Sequence, residues 1–213
     1  MAKKYGKQRA KRAKINRGLS SDIDLGLFVK SLEQKSKKAG QRPGQAAKRR
    51  PPASQFGEQQ EAVNSMVGYY YIRGGQFRSL FNRAKKMNGS TDEMLIQLLE
   101  SRLDSVVFTM GFGVTKRQCR QMVVHKHITV NGSVVSCPAY HVRPGDVIAV
   151  KNSAKEHQRV AMSVELARDR KVKEWVDCDY ESLSGTYKFH PSLKHIHIFD
   201  PHLLGHVIVY FSK

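Results

Sequence analysis

The sequence predicts an α+β fold: a basic extended arm, a helical N-terminal domain, and a compact module of two packed helices with a short antiparallel sheet. Three observations carry this. The chain holds 37 Lys+Arg against 18 Asp+Glu, and 16 of the former with only 3 of the latter lie in residues 1–52, so 13 of the net +19 charges sit in the first quarter. Apolar residues from Met94 to Met110 recur at three- and four-residue steps, the period of a helix face. Asn131-Gly132 lies between Ile128-Thr129-Val130 and Val134-Val135, the strongest short hairpin signal, because both turn residues tolerate positive φ.

The arm is rich in Lys, Arg, Gly, Gln and Ser, with basic runs at Lys3-Lys4, Lys11-Arg12, Lys35–Lys38 and Lys48–Arg50. It repels itself and orders only against a counter-charge, or else remains a solvated tail. The patch Leu25–Leu32 is its one candidate helix, and Arg50-Pro51-Pro52 ends it in extended geometry.

Helix is expected over Gln55–Lys86, broken near Gly74-Gly75, with Tyr69-Tyr70-Tyr71, Phe77, Leu80 and Phe81 supplying core contacts more readily than base stacking. Ser90 with Glu93 fits a capping box that opens the next helix, which runs along the Met94–Met110 face to Gly111-Phe112-Gly113. Thr115 with Gln118 is a second box, opening Lys116–Lys126. There Cys119, Met122 and Val123 share one side and Lys116, Arg117, Arg120 and Gln121 the other, so the cations form a patch. Val142–Val150 is a turn and strand with Arg143 and Asp146 outside. Ala154–Lys173 is a basic amphipathic helix with Val160, Val164, Leu166 and Ala167 inward. Trp175–Tyr180, Thr186–Phe189 and His206–Phe211 read as strands that extend the sheet. The domains expected are an arm (1–52), a helical domain (53–101), the module (102–164) and a C-terminal helix and strands (165–213) that pack on the helical domain or extend the sheet.

Composition narrows the function classes. A basic module in a basic chain points to a polyanion, most plausibly RNA. Cys119, Cys137 and Cys178 are odd in number and far apart, which fits buried thiols better than a disulfide framework or zinc knuckle. His190, His195, His197, His202 and His206 lack acidic or Cys partners at ligand spacing, so turn and edge positions suit them better than a metal site. No metal or cofactor is expected. No run of about 18 apolar residues predicts a membrane span. Met1–Ser20 lacks the apolar centre of a secretory signal, though a basic organellar presequence stays open.

Thr91 to Val150 resembles the S-four RNA-binding module. The likeness extends to the flanks. Arg42-Pro43-Gly44-Gln45, Arg49-Arg50-Pro51 and Ser54-Gln55-Phe56-Gly57 look like the "PGQ…KPR…SDYG" stretch of the S-four family of small-subunit ribosomal proteins. Gln76-Phe77-Arg78 looks like its "RQFRN" helix and Asn88-Gly89-Ser90-Thr91 like its "KGNTGENLL" turn; Trp175, Gly185-Thr186-Tyr187 and Val207–Lys213 are also family-like. The match covers about residues 35–213 in order.

The resemblance implies a non-enzymatic constituent of the small ribosomal subunit that binds its rRNA directly, nucleates assembly and influences translational accuracy. Implied partners are that rRNA, an S-five-type neighbouring protein at the accuracy interface, and messenger RNA where it enters the subunit; no membrane is implied. The implied location is the ribosome, cytoplasmic or organellar. Lys116, Arg117, Arg120, Gln121, Lys126, His127 and Arg143 are the candidate RNA contacts of the module. Arg42, Lys48, Arg49 and Arg50 are those of the arm, and Arg73, Arg78, Arg83 and Lys85 those of the helical domain. Two departures stand out. No cysteine precedes Cys119, so the four-cysteine zinc knuckle of many bacterial members is missing, and Glu58–Gly68 carries two Glu and no Lys or Arg where the family is densely basic. The second departure keeps open a stand-alone RNA-binding regulator or assembly factor. An enzyme such as a pseudouridine synthase would need a catalytic domain for which the 63 residues after Val150 show no nucleophile, base and orienter.

Overall fold

The computed structural model describes residues 54–155, 160, 162–165, 173–196 and 199–212. The arm, with Leu25–Leu32 and the candidate contacts Arg42, Lys48, Arg49 and Arg50, lies outside the described residues, as do Leu166, Ala167 and His197. The chain divides into two units, one of Met1–Gly74 with Ile198–Lys213 and one of Gly75–His197.

In the first unit, α1 (Gln55–Tyr69) starts at Ser54, whose hydroxyl accepts from the Gly57 N–H at 3.2 Å. Ala62, Val63, Met66 and Tyr69 return every three or four residues on its buried stripe. The last helix, Pro201–Ser212, packs on α1 through Leu204 and Val207. Phe56 meets Tyr210 at 5.7 Å between ring centroids while Tyr69 meets Phe199 at 5.2 Å, so the two helices run antiparallel. This corrects the strand expected at His206–Phe211. A β-branched run favours a strand only weakly, and here Pro201 presets the helical start, the Asp200 carboxylate accepts from the His202 N–H at 3.1 Å, and apolar burial against α1 decides the rest.

The second unit holds α2 (Gly74–Ala84, its first residue at the boundary), α3 (Thr91–Glu100), α4 (Leu103–Thr109), α5 (Lys116–Val124) and the short α6 (Asn152–Lys155). Its sheet comprises β1 (Ile128–Val130), β2 (Ser133–Val134), β3 (Val147–Val150), β4 (Val176–Asp179) and β5 (Ser184–Tyr187), in the order β2-β1-β3-β5-β4, antiparallel throughout. Pro201–Ser212 is thus α7 of the described elements. The Asn131-Gly132 hairpin forms with φ of 50° and 79°. Asn131 then reaches across, donating to Asp146 at 2.8 Å and accepting from the Val147 N–H at 2.9 Å, which fixes the hairpin against the Arg143–Asp146 turn.

Three sequence expectations are revised. The single helix expected over Met94–Met110 breaks at Ser101-Arg102. Arg102 is extended (φ −65°, ψ 138°) and bridges His141; the Leu103 N–H donates to Tyr140 at 2.8 Å and the Val142 N–H to Ser101 at 2.7 Å. Pairing with a distant segment satisfies the backbone groups that a continued helix would have used. Ser90 forms no capping box: its hydroxyl is bonded to the Asp92 carboxylate, which also accepts the Glu93 N–H at 2.9 Å. At α5 the box is shifted by one residue. Thr115 accepts from the Gln118 N–H at 3.2 Å, while the Gln118 side chain accepts from Val114 rather than from Thr115.

The β4–β5 contact has no room for a methyl group. A Cβ on Gly185 would lie 2.6 Å from the Asp177 carbonyl oxygen and 3.1 Å from the Met110 sulfur. Gly185→Ala is therefore expected to cost about 1–3 kcal/mol of stability, because the closest atom is backbone and cannot swing away. Urea denaturation of the two chains measures this directly.

Candidate nucleic-acid interface

The cationic patch expected on α5 is rearranged by the packing of α5 on α4. Lys116 is not on the surface. Only 3% of it is exposed, and its ammonium lies 5.3 Å from the Phe108 ring centroid. Burial pushes its pKa below the ordinary value, opposed by Glu100 and Asp104. The helix's first residue points into the unit, so the cation serves an internal charge cluster.

That cluster is centred on Asp104. Arg102 binds both carboxylate oxygens, at 3.0 and 2.8 Å, and Arg120 reaches one of them at 3.2 Å. Arg102 and Asp104 are 2% and 4% exposed, and Glu100 is buried as well. Arg120 is thus partly committed inward, and Arg117 is half-buried. Sequence reasoning missed the pairing. Arg102 and Asp104 are close in sequence, but the helix break at Ser101-Arg102 and the approach of Arg120 exist only in three dimensions.

The outward groups lie at the far end of α5. Gln121, His125 and Lys126 are exposed and His127 is half-buried. The rings of His125 and His127 are nearly parallel, 8° apart in tilt and 6.0 Å between centroids, with Lys126 between them at φ 62°. Lys151, whose N–H donates to the His127 carbonyl at 2.8 Å, adds an exposed cation that the sequence signalled only by following a strand. Arg143 is exposed on its turn, where the Asp146 carboxylate accepts its backbone N–H at 2.8 Å. On and after α2, Arg78, Arg83, Lys85 and the further Lys86 are exposed. Arg73, in the other unit, is exposed as well.

Arg83 comes close enough to His141 to matter electrostatically. Burial first, then Arg83 and Arg102, hold the His141 imidazole below its ordinary 6.5, and its Nδ1 lies 3.0 Å from the Ser101 hydroxyl. Burial also lowers His190. The fold favours the neutral rings, so on acidification the unfolded chain binds these protons first and stability is lost as pH falls below about 6.5. A denaturation midpoint that falls from pH 7 to pH 5, and falls less in His141→Gln, is the expected result.

Among the described residues no three His, Cys, Asp or Glu side chains gather as a metal site, and no helix is long and apolar enough to cross a membrane. Cys119 is buried. The Cys178 thiol is pushed up to about 12, by burial first and Asp177 second, so it stays protonated near neutrality.

Residues 3–100 match the family described as Ribosomal protein S4/S9 N-terminal domain, and residues 101–148 match the S4 domain. The two matches meet where the helix breaks before Arg102. Small ribosomal subunit protein uS4 from Pseudomonas aeruginosa strains LESB58, PAO1 and UCBPP-PA14 is 40% identical over 181 residues, covering 85% of this chain and 87% of each relative. The chain belongs to the uS4 family. Its members are structural, rRNA-binding ribosomal proteins of the small subunit, and the α+β architecture with an S4 domain agrees with that class. In this uS4-family chain the exposed cations of the second unit include those of α2, Lys126 and Lys151 near the end of α5, and Arg143. Lys116 is not among them.

Proposed function

We propose that this chain is a structural constituent of the small ribosomal subunit that binds its rRNA directly, nucleates assembly and contributes to translational accuracy. The observation that carries the reading is the similarity to uS4 over 85% of the chain, spanning both family domains in order. The exposed cations fit it chemically. Lys126, Arg143, Arg78, Arg83 and Lys85 displace counterions from phosphates, and the arm supplies the largest share of charge. Gln121 and His127 add hydrogen-bonding groups near the end of α5, the half-buried Arg117 adds a cation, and Arg120 presents what Asp104 leaves available. Recognition is mainly of RNA shape, because paired RNA hides its base edges. Its neighbours in the particle are an S-five-type protein at the accuracy interface and messenger RNA where it enters the subunit. The ribosome is of bacterial type, in the cytoplasm or in an organelle.

One observation favours a second reading as a ribosome assembly factor or stand-alone regulator. Helix α1 presents Glu58 and no cation along Glu58–Gly68, where RNA contact would need positive charge. Sedimentation of a native lysate through sucrose at moderate and then high salt separates the two. One copy per small subunit and per whole ribosome supports the structural role. Migration near the top, or only with immature particles, supports the second.

A further inference from the structure

Beyond that reading, the far edge of the sheet carries a second cluster of rings and cations. Three short segments each set a lysine beside a ring: Lys173 with Trp175, Lys188 with Phe189, and Lys194 with His195. The fold draws the rings together around His195, whose centroid lies 6.2 Å from Trp175 and 5.4 Å from Phe189. The arrangement is held in place. The Lys188 N–H donates to the Trp175 carbonyl at 2.9 Å, the Ser192 N–H donates to His195 Nδ1 at 3.1 Å, and the Lys173 ammonium lies 5.9 Å from the Trp175 ring centroid. His190 is tied back by its Nδ1, 3.2 Å from the Tyr187 hydroxyl.

Three features point to a ligand and to its class. Trp175 is only 4% exposed, yet its indole N–H meets no acceptor, whereas a buried Trp N–H ordinarily has one. Phe189 is 38% exposed and is the one large hydrophobic side chain so exposed among the described residues from 173 to 196. A single ring among lysines suits one stacked base better than the broad apolar patch of a protein contact. The chain leading in is basic, with Arg168, Arg170 and Lys171 against Asp169. The nearby carboxylates are partly engaged, with Asp177 3.1 Å from the Lys188 ammonium and Glu174 3.6 Å from His195 Nε2.

We propose that this corner binds an unpaired stretch of RNA, with a base stacked on Phe189 and the flanking phosphates against Lys173, Lys188 and Lys194. Paired RNA has no free base face to offer Phe189. The site adds base stacking to what is otherwise backbone recognition.

Trp175 is the only tryptophan in the chain, so its emission reports this corner alone. The full chain is titrated with an unstructured oligoribonucleotide of about 12 nucleotides, and separately with a hairpin duplex of equal phosphate number, at one salt concentration. Saturable quenching by the single strand at lower concentration than by the duplex is expected. Phe189→Ala should shift the single-strand midpoint about tenfold, Phe189→Tyr should restore it, and the duplex midpoint should hold. Equal response to both RNAs, no response, or an unchanged midpoint in Phe189→Ala overturns the proposal. In assembled subunits, a photocrosslinking residue at position 189 identifies the source. Attachment to rRNA or to messenger supports the site, and attachment to protein alone overturns it.

Discussion

Asp104→Ala is expected to cost about 3–5 kcal/mol of folding stability, the range for removing one partner of a buried ion pair. The reason is what the substitution leaves behind. The Arg102 guanidinium, buried and bound to both Asp104 oxygens, loses its counter-charge, and Arg120 loses the same partner. Glu100 remains as the other buried carboxylate in a region that also buries Lys116. Against a typical domain stability of about 5–15 kcal/mol, a loss of this size leaves a substantial unfolded fraction at moderate urea. The control is the double variant Arg102→Met, Asp104→Leu, which removes both charges and keeps the volume. It should recover most of the loss, since a well-packed apolar pair often equals or exceeds a buried ion pair. A double variant as unstable as Asp104→Ala would show that the backbone turn at Arg102, and not charge burial, is what the pair maintains.

Replacing Arg42, Lys48, Arg49 and Arg50 together by Ala is expected to give the largest change in RNA binding. If each meets a phosphate, the slope of log affinity against log salt should become shallower by roughly three to four units, about 0.7–0.9 per contact. Folding stability of the second unit should not change. The pair Lys126→Ala and Arg143→Ala should reduce the slope by roughly one to two units in the same assay. Lys116→Ala should behave in the opposite way, with stability lower and slope unaltered, because its ammonium is buried. Filter binding of the small-subunit rRNA across a salt series, with urea denaturation of the same chains, separates the cases. An unchanged slope in the quadruple variant would remove these four residues from the interface.

How much was legible in the sequence depends on the range of the interaction behind each feature. Asn131-Gly132 was readable because positive φ is a property of two adjacent residues, and the hairpin and its register followed. The helix starting at Lys116 was readable because Thr115 satisfies an N–H group three residues on. The Lys126 and Arg143 positions were readable because a turn and a helix end leave long polar side chains in water. What failed was non-local. The apolar period from Met94 to Met110 does not reveal that residues 138–142 would pair at Arg102 and break the helix. Four polar groups on one side of α5 do not reveal that packing against α4 would take Lys116 inward. The Val207–Phe211 run has the composition of a strand, yet it lies as a helix on α1.

The sequence by itself determined the charge, the uneven placement of that charge, the hairpin, the helix start at Lys116 and the family likeness, because each is written in neighbouring residues or in overall composition. The tertiary structure decided which cations are exposed and which neutralise Asp104, where the long helix breaks, and that Trp175, Phe189 and His195 meet. Those outcomes depend on segments far apart in the chain competing for the same buried space. Free energies of burial and charge desolvation there are larger than the few tenths of a kcal/mol by which local propensities differ.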